Sequence, residues 1–135
     1  MADINLKVGL SASIETVVFS KNTAEEFGSG DIDVYATPAM ISLMEKAALS
    51  AVALHLPKGQ TTVGTLVNIR HIAATPVGMK VRAVAELIGI EGKKLSFKIE
   101  AFDENEKIGE GYHDRYIVDM GKFREKVYGK KDNTL

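Results

Sequence analysis

The chain has 135 residues, of which 45% are hydrophobic and 26% charged, and its formal net charge is −1. These values are typical of one globular domain, so we expect a single domain over residues 1–135. A charge this close to zero provides no general attraction to nucleic acid or anionic lipid, and the absence of cysteine excludes disulfides, a thiol nucleophile and cysteine–zinc sites.

The N-terminal residues 1–10 hold no long apolar run, so they predict no signal peptide. Residues 11–20 are rich in β-branched side chains and predict the first strand. The polar segment 22–33, with Gly28 and Gly30, predicts a loop containing a short turn of helix.

A long helix follows this loop. Pro38 is well placed as its first residue and Thr37 as its N-cap, and the helix is expected to end at Leu56, before Pro57-Lys58-Gly59. It is apolar around most of its circumference, which indicates a buried helix. The stretch is too short, and too interrupted by charge, to cross a bilayer, so we expect a cytoplasmic protein with no membrane partner.

The remainder predicts strands at residues 62–72, 80–90, 95–102 and 107–120, with turns at 91–93 and 103–106. Adjacent hairpins imply antiparallel pairing. From about residue 122 the tail is charged and is expected to fray at its end. This order predicts an α+β layer fold. Because such a sheet covers only part of the helix, we expect a second copy to close the open side as a two-fold dimer.

Two residues suggest proton-transfer chemistry. Glu45 lies on an otherwise apolar helix stripe, where lost solvation can raise the pKa of a carboxyl group; the alternative is an ordinary surface glutamate beside Lys46. His71 ends a predicted strand and suits proton transfer near neutral pH; the alternative is a structural histidine at a strand end. Thr37 is predicted to cap a helix, and this role does not exclude a function. It lies at a helix N-terminus, whose free N–H groups suit binding of a thioester carbonyl.

Other site classes lack their motifs. His55, His71 and His113 do not have metal-ligand spacing, and no HExxH is present. No phosphate-binding loop, dinucleotide fingerprint or G-x-S-x-G elbow occurs. The chain also lacks a basic stripe, so we expect no nucleic-acid partner.

Three stretches resemble the fluoroacetyl-CoA thioesterase family of hotdog proteins. They are residues 36–45 (ATPAMISLME), at the family's central-helix entry; residues 63–65 (VGT) with 71–78 (HIAATPVG), at its next strand and turn; and residues 111–115 (GYHDR), in its last strand. The family has a Thr before the helix, a Glu eight residues later and a His 26 residues beyond that. Thr37, Glu45 and His71 fall at these spacings.

The resemblance implies a hotdog fold, in which a curved antiparallel sheet wraps around one long central helix, assembled as a homodimer or tetramer with active sites at the interface. It implies hydrolysis of acyl-CoA to a free acid and CoA, with no metal or redox cofactor. Glu45 would be the nucleophile or general base, Thr37 would position the carboxylate or thioester, and His71 would polarise the carbonyl or assist the leaving thiolate. Gly64 matches a family glycine whose backbone can approach the acyl group closely. His113 and Arg115 match the last-strand motif of the family, where they would either bind substrate or only order the sheet and the interface.

One segment departs from the family pattern. Aromatic residues before the helix help to form a lid in the fluoroacetyl-CoA enzymes, whereas residues 25–33 here read EEFGSGDID, with Phe27 out of register. Selectivity for fluoroacetyl-CoA is therefore not implied, and we expect a small or medium acyl group.

Two other functions fit the same fold. A non-catalytic acyl-CoA-binding protein is the main alternative, because a fold does not fix a function. A hydratase acting on enoyl thioesters is less favoured, since no Asp and His lie close together near the helix.

Overall fold

The computed structural model describes residues 5–132, so residues 1–4 and 133–135 of the predicted domain lie outside the described part. The strands are β1 (Ser11–Val17), β2 (Gln60–His71), β3 (Lys80–Glu91), β4 (Lys94–Phe102) and β5 (Lys107–Asp119). The α-helices are α1 (Ala24–Phe27), α2 (Thr37–Ala53) and α3 (Met120–Tyr128). The strands form one antiparallel sheet in the order β1-β3-β4-β5-β2, which confirms the α+β class.

Helix α2 packs on one face of this sheet and forms the core with it. Met40 and Met44 of α2 are buried, as are Phe97 and Ile99 of β4, and each such side chain contributes about 1.5–3 kcal/mol by leaving water. Alanines at residues 47, 48 and 51 face the same core and let the helix approach the strands closely. The helix lies mainly over β1 and β3, so its β2 side is less covered.

Strand β2 forms one edge of the sheet. Within the described residues it pairs along one side only, with β5, where Gly64 is opposite Arg115 and Val67 is opposite His113. The register shifts between Gly64 and Leu66, which is the signature of a β-bulge. The bulge lets Gly64 and Val67 both face α2, although they are three positions apart and would face opposite sides of a regular strand.

The start of α2 differs from the prediction. Ala36, in an extended conformation, is the N-cap, and Thr37 is the first helical residue. The predicted capping role of Thr37 is therefore wrong, because its hydroxyl bonds to His71 instead. Pro38 still lies in the first turn, where a missing N–H costs nothing. The helix ends at Ala53, three residues earlier than expected.

The charged tail contains a helix that the sequence did not predict. The chain forms α3 and then a 3₁₀ turn, Gly129–Asp132, and the predicted fraying at the end of the tail concerns residues 133–135, which lie outside the described residues. Asp119 caps α3 by accepting a hydrogen bond from the Lys122 N–H at 3.0 Å. No helix within residues 5–132 is long and apolar enough to cross a membrane.

Candidate active site

Thr37 and His71 form a hydrogen-bonded pair at one end of the fold. The first residue of α2 and the last residue of β2 meet there, with Thr37 Oγ1 2.8 Å from His71 Nδ1. Tyr35 packs edge-on against the imidazole at a ring-centroid distance of 6.5 Å. Burial raises the pKa of Tyr35 to about 12, so this side chain is a neutral wall of the site.

The second nitrogen of His71 makes no hydrogen bond of good geometry, although the ring lies within reach of the Ala73 backbone. His71 Nε2 is buried and makes no hydrogen bond with any residue from 5 to 132. Burial lowers the pKa of His71, an effect that interaction with the Ala73 backbone partly opposes, so the ring is neutral at pH 7. A neutral imidazole has one donor and one acceptor nitrogen. If the Thr37 hydroxyl donates to Nδ1, Nε2 carries the proton and can donate to a substrate oxygen or sulfur.

An open groove of about 460 Å³ gives access to this pair. Its walls come from the segment before α2 and from the residues after β2. They include Val34, Tyr35, Thr37, His71, Ile72 and Ala73. The groove therefore offers a hydroxyl and an imidazole within mostly apolar walls, as small-molecule sites commonly do.

Glu45 lies in a second group of polar residues, around the middle of β2. Its Oε2 is 3.8 Å from Arg115 Nη1, and its side chain is 40% exposed. The apolar burial expected for this carboxylate is therefore absent in the single chain, and a guanidinium faces it instead. The cavity beside Glu45 has no room for even a water molecule.

Arg115 is fixed by the residues around it. Its Nε donates to Thr62 Oγ1 at 2.7 Å, its Nη2 donates to the Thr62 carbonyl at 2.9 Å, and its Nη1 lies 3.1 Å from His113 Nε2. Burial lowers the pKa of Arg115, and Glu45 opposes that shift. Because arginine remains protonated in proteins, a fixed positive charge lies beside the Glu45 carboxylate.

These contacts define the tautomer of His113. The Leu66 carbonyl, 2.7 Å from His113 Nδ1, can only accept, so Nδ1 carries the proton. Nε2 then accepts from Arg115. Burial is the largest cause of the lowered pKa of His113, so the ring is neutral and its 3.9 Å approach to Glu45 is not an ion pair.

The two groups are separate within one chain. No hydrogen bond or ion pair among the described residues joins Glu45 to Thr37 or His71. Thr37 and Glu45 are eight residues apart on α2, which is a rise of about 12 Å along the axis. The structure thus brings Thr37 to His71, and Glu45 to Gly64, His113 and Arg115, without uniting the predicted triad.

Comparison with known proteins identifies the family. The fluoroacetyl-CoA-specific thioesterase family matches residues 18–121. The chain belongs to this family. A curated relative, the fluoroacetyl-CoA thioesterase of Streptantibioticus cattleyicolor, is 41% identical over 98 residues, which cover 73% of this chain and 70% of the relative.

Solved structures agree with this membership. The fluoroacetyl-CoA thioesterase FlK is 34% identical, with a TM-score of 0.86 over 93% of this chain and 97% of its own. A hypothetical Thermus thermophilus protein, described as a thioesterase superfamily member, is 32% identical, with a TM-score of 0.87 over 98% of this chain and 96% of its own. The predicted hotdog fold and enzyme class, a thioester hydrolase, are confirmed by these relatives.

Gly64 has a specific steric role in this member of the thioesterase family. A Cβ at this position would lie 2.8 Å from Glu45 Oε2 and 3.2 Å from His113 Cε1. Glycine therefore leaves the space that the carboxylate occupies. The family resemblance implied that this glycine lets the acyl group approach closely. That role stays a prediction, and the structure adds the contact with Glu45.

Sequence reasoning missed two residues of these groups. Thr62 provides two of the acceptors that hold Arg115, and Tyr35 supports His71. A threonine in a β-branched strand gives no sign of such a role, and Tyr35 could have been suspected only from its position two residues before Thr37. His113 and Arg115, predicted to bind substrate, are 1% and 7% exposed and contact one another beneath Glu45.

Proposed function

We propose that the protein hydrolyses acyl-CoA thioesters at a site shared between two chains. The observation that supports this most directly is the buried, unpartnered Nε2 of His71, whose ring is oriented by Thr37 at the start of α2. Buried polar atoms without a partner are rare in native proteins, and a thioester carbonyl or a leaving thiolate would supply one. FlK, a relative in the same family, has been solved with acetyl-CoA bound to a Thr-to-Ser variant.

The missing element of the site is a carboxylate near His71. Glu45 of the same chain lies about 12 Å along α2 from Thr37, the residue that contacts His71, so we propose that Glu45 of the partner subunit fills this place. Residues 64–68 of β2 are exposed along the unpaired edge, with Leu66 and Val67 each nearly half exposed. A long exposed edge strand is the feature through which sheets pair with a second copy.

A two-fold axis near Asn68 gives the required geometry. Two β2 strands then run antiparallel, and the bulge at Thr65 lets Gly64 lie opposite the partner subunit's His71, with both facing the helices. Glu45, adjacent to Gly64, would then approach the partner's Thr37 and His71. Two equivalent sites result, as two-fold symmetry requires.

The residues support two chemical routes. Glu45 either attacks the thioester carbon directly or removes a proton from the water that attacks it. In the first route the C–S bond breaks as the Glu45 carboxylate forms an anhydride with the acyl group, and water then hydrolyses this anhydride to the free acid and restores the carboxylate. In the second route the oxygen of water forms the new C–O bond directly as the C–S bond breaks. In both routes water is consumed and supplies, in net terms, the proton that the departing thiolate takes up. His71 Nε2–H and the free N–H groups at the start of α2 stabilise the oxyanion. We propose no metal or redox cofactor, because hydrolysis changes no oxidation state and Glu45 and His71 supply the base or nucleophile and the oxyanion stabilisation. CoA itself is part of the substrate.

We further propose a small or medium acyl group and a cytoplasmic location. Phe27, in α1, is half exposed and lies away from the walls of the His71 groove. Phe27 therefore does not cover this groove, which fits a broader acyl range than fluoroacetyl alone.

The first experiment is thiol release from acyl-CoAs, acetyl through hexanoyl with fluoroacetyl and phenylacetyl, by wild type and Glu45→Gln. Glu15→Gln, which changes an exposed carboxylate on β1, is the matched control. We expect turnover that is lost only in Glu45→Gln. Binding of acyl-CoA without turnover by wild type would favour the non-catalytic alternative, and unchanged turnover in Glu45→Gln would reject the proposed role of Glu45.

Complementation tests the shared site. Glu45→Gln and His71→Asn chains are inactive alone in this scheme, but a mixed dimer contains one site with both wild-type residues. Co-expression should therefore restore about a quarter of wild-type activity when chains pair at random. No restoration, with mixed dimers present, would mean that Glu45 and His71 act within one chain.

A further inference from the structure

Helix α3 has an apolar face that the residues from 5 to 132 leave partly open. Met120, Phe123 and Val127 recur at helical spacing and are 42%, 38% and 42% exposed, while Lys122 and Lys126 lie on the other side. The main contacts of α3 are with the end of β5 and the following 3₁₀ turn. A contiguous exposed apolar stripe on an amphipathic helix indicates a packing partner.

The position of α3 in the fold indicates which partner. The Met120 N–H donates to the Gly59 carbonyl at 2.9 Å, and Asp119 pairs with Gln60. Helix α3 therefore starts beside the first residue of β2, at the end of the sheet opposite to His71. When two β2 strands pair antiparallel, this end lies beside the residues that follow His71 in the other chain.

We propose that a second copy of the chain covers this face, with α3 packed against the partner subunit's residues 72–77. That segment carries Ile72 and Val77, each 46% exposed, and Ile72 also lines the Thr37–His71 groove. Helix α3 thus provides an outer wall for the partner's active-site groove. The inference rests on the dimer of the proposed function. Only Met120 and Gly121 of α3 fall within the stretch that matches the family.

Cross-linking tests this placement, because the chain has no cysteine and each introduced thiol is unique. Phe123→Cys and Ile72→Cys chains with tags of different size are co-expressed and treated with a short bismaleimide. We expect a covalent mixed dimer. The matched control replaces Ile72→Cys by Ile88→Cys, an equally apolar residue that is 41% exposed on β3, separated from β2 by two strands; it should give none.

Asn68→Cys separates this inference from the dimer itself, since the proposed axis brings the two Asn68 residues together. Cross-linked Asn68→Cys without a Phe123–Ile72 product above the Ile88 control would overturn the role of α3 while the β2 dimer stands. A monomer in light scattering, with no product from any pair, would overturn both. Thiol release by the untreated wild type is measured separately, so an inactive but correctly cross-linked protein would reject only the proposed reaction.

Discussion

Replacing Gly64 by alanine should disable the Glu45 carboxylate without unfolding the protein. The added Cβ would lie 2.8 Å from Glu45 Oε2, whereas ordinary contact begins near 3.4 Å, so the carboxylate must retreat by about 0.6 Å. A misplacement approaching 1 Å can lower the rate by about 10²-fold. The backbone accepts alanine, because Gly64 is not among the glycines with positive φ, and Gly→Ala then stabilises by about 0.4–1 kcal/mol through the unfolded state.

The assay is kcat for thiol release, measured with the best acyl-CoA of the panel, alongside thermal unfolding. Gly89→Ala is the matched control, because its Cβ would meet Ser96 at an ordinary 3.6 Å. We expect kcat to fall only in Gly64→Ala, with little change in Tm in either variant. Full activity in Gly64→Ala would refute the steric role of this glycine, and a large loss of Tm would show that the clash is not relieved by the carboxylate.

Two other changes test the buried groups. Arg115→Met leaves Thr62 Oγ1 and His113 Nε2 without a partner, so the free energy of unfolding from urea titration should fall by about 2–4 kcal/mol. Arg115→Lys keeps the charge, so its free energy of unfolding should fall less. Equal losses in the two variants would contradict the importance of the charge. Burial lowers the pKa of His71 and of His113, so below about pH 6.5 the unfolded chain binds protons that the folded chain does not. Unfolding free energy should therefore decrease from pH 7.5 to 5.5, by at most about 1.4 kcal/mol per pH unit for each histidine, and a flat profile would count against neutral buried imidazoles.

The fold was predictable where the local pattern matched the tertiary role. Several predicted elements lie within a few residues of their expected positions. They are the helix with the apolar circumference (α2), the hairpin turns at Gly92 and Asp103, and the β-branched strand β2. Helix α3 was missed because its three apolar residues lie among charges that also suit a solvated tail. Its cap, Asp119, reads equally well as the last residue of a strand.

The site was predictable only in part. Family spacing selected Thr37, Glu45 and His71, and the structure gives each a partner. It could not show that Thr37 contacts His71 whereas Glu45 faces Arg115, because a match in sequence spacing does not specify tertiary contacts. Nor could it show that Thr62 holds Arg115, because that contact depends on the register of β2 against β5.

The fixed charge of Arg115 bears on how the reaction is stabilised. Glu45 offsets this buried guanidinium at 3.8 Å, and both candidate routes remove the negative charge of Glu45, either in an acyl bond or by protonation. The charge then appears on the thioester oxygen, so the net charge near Arg115 is preserved as it moves from one oxygen to another. An environment already organised around one negative charge needs little rearrangement for this transfer. In the proposed reaction, Arg115 and neutral His113 would therefore contribute by keeping that environment constant, and their binding to substrate stays a prediction.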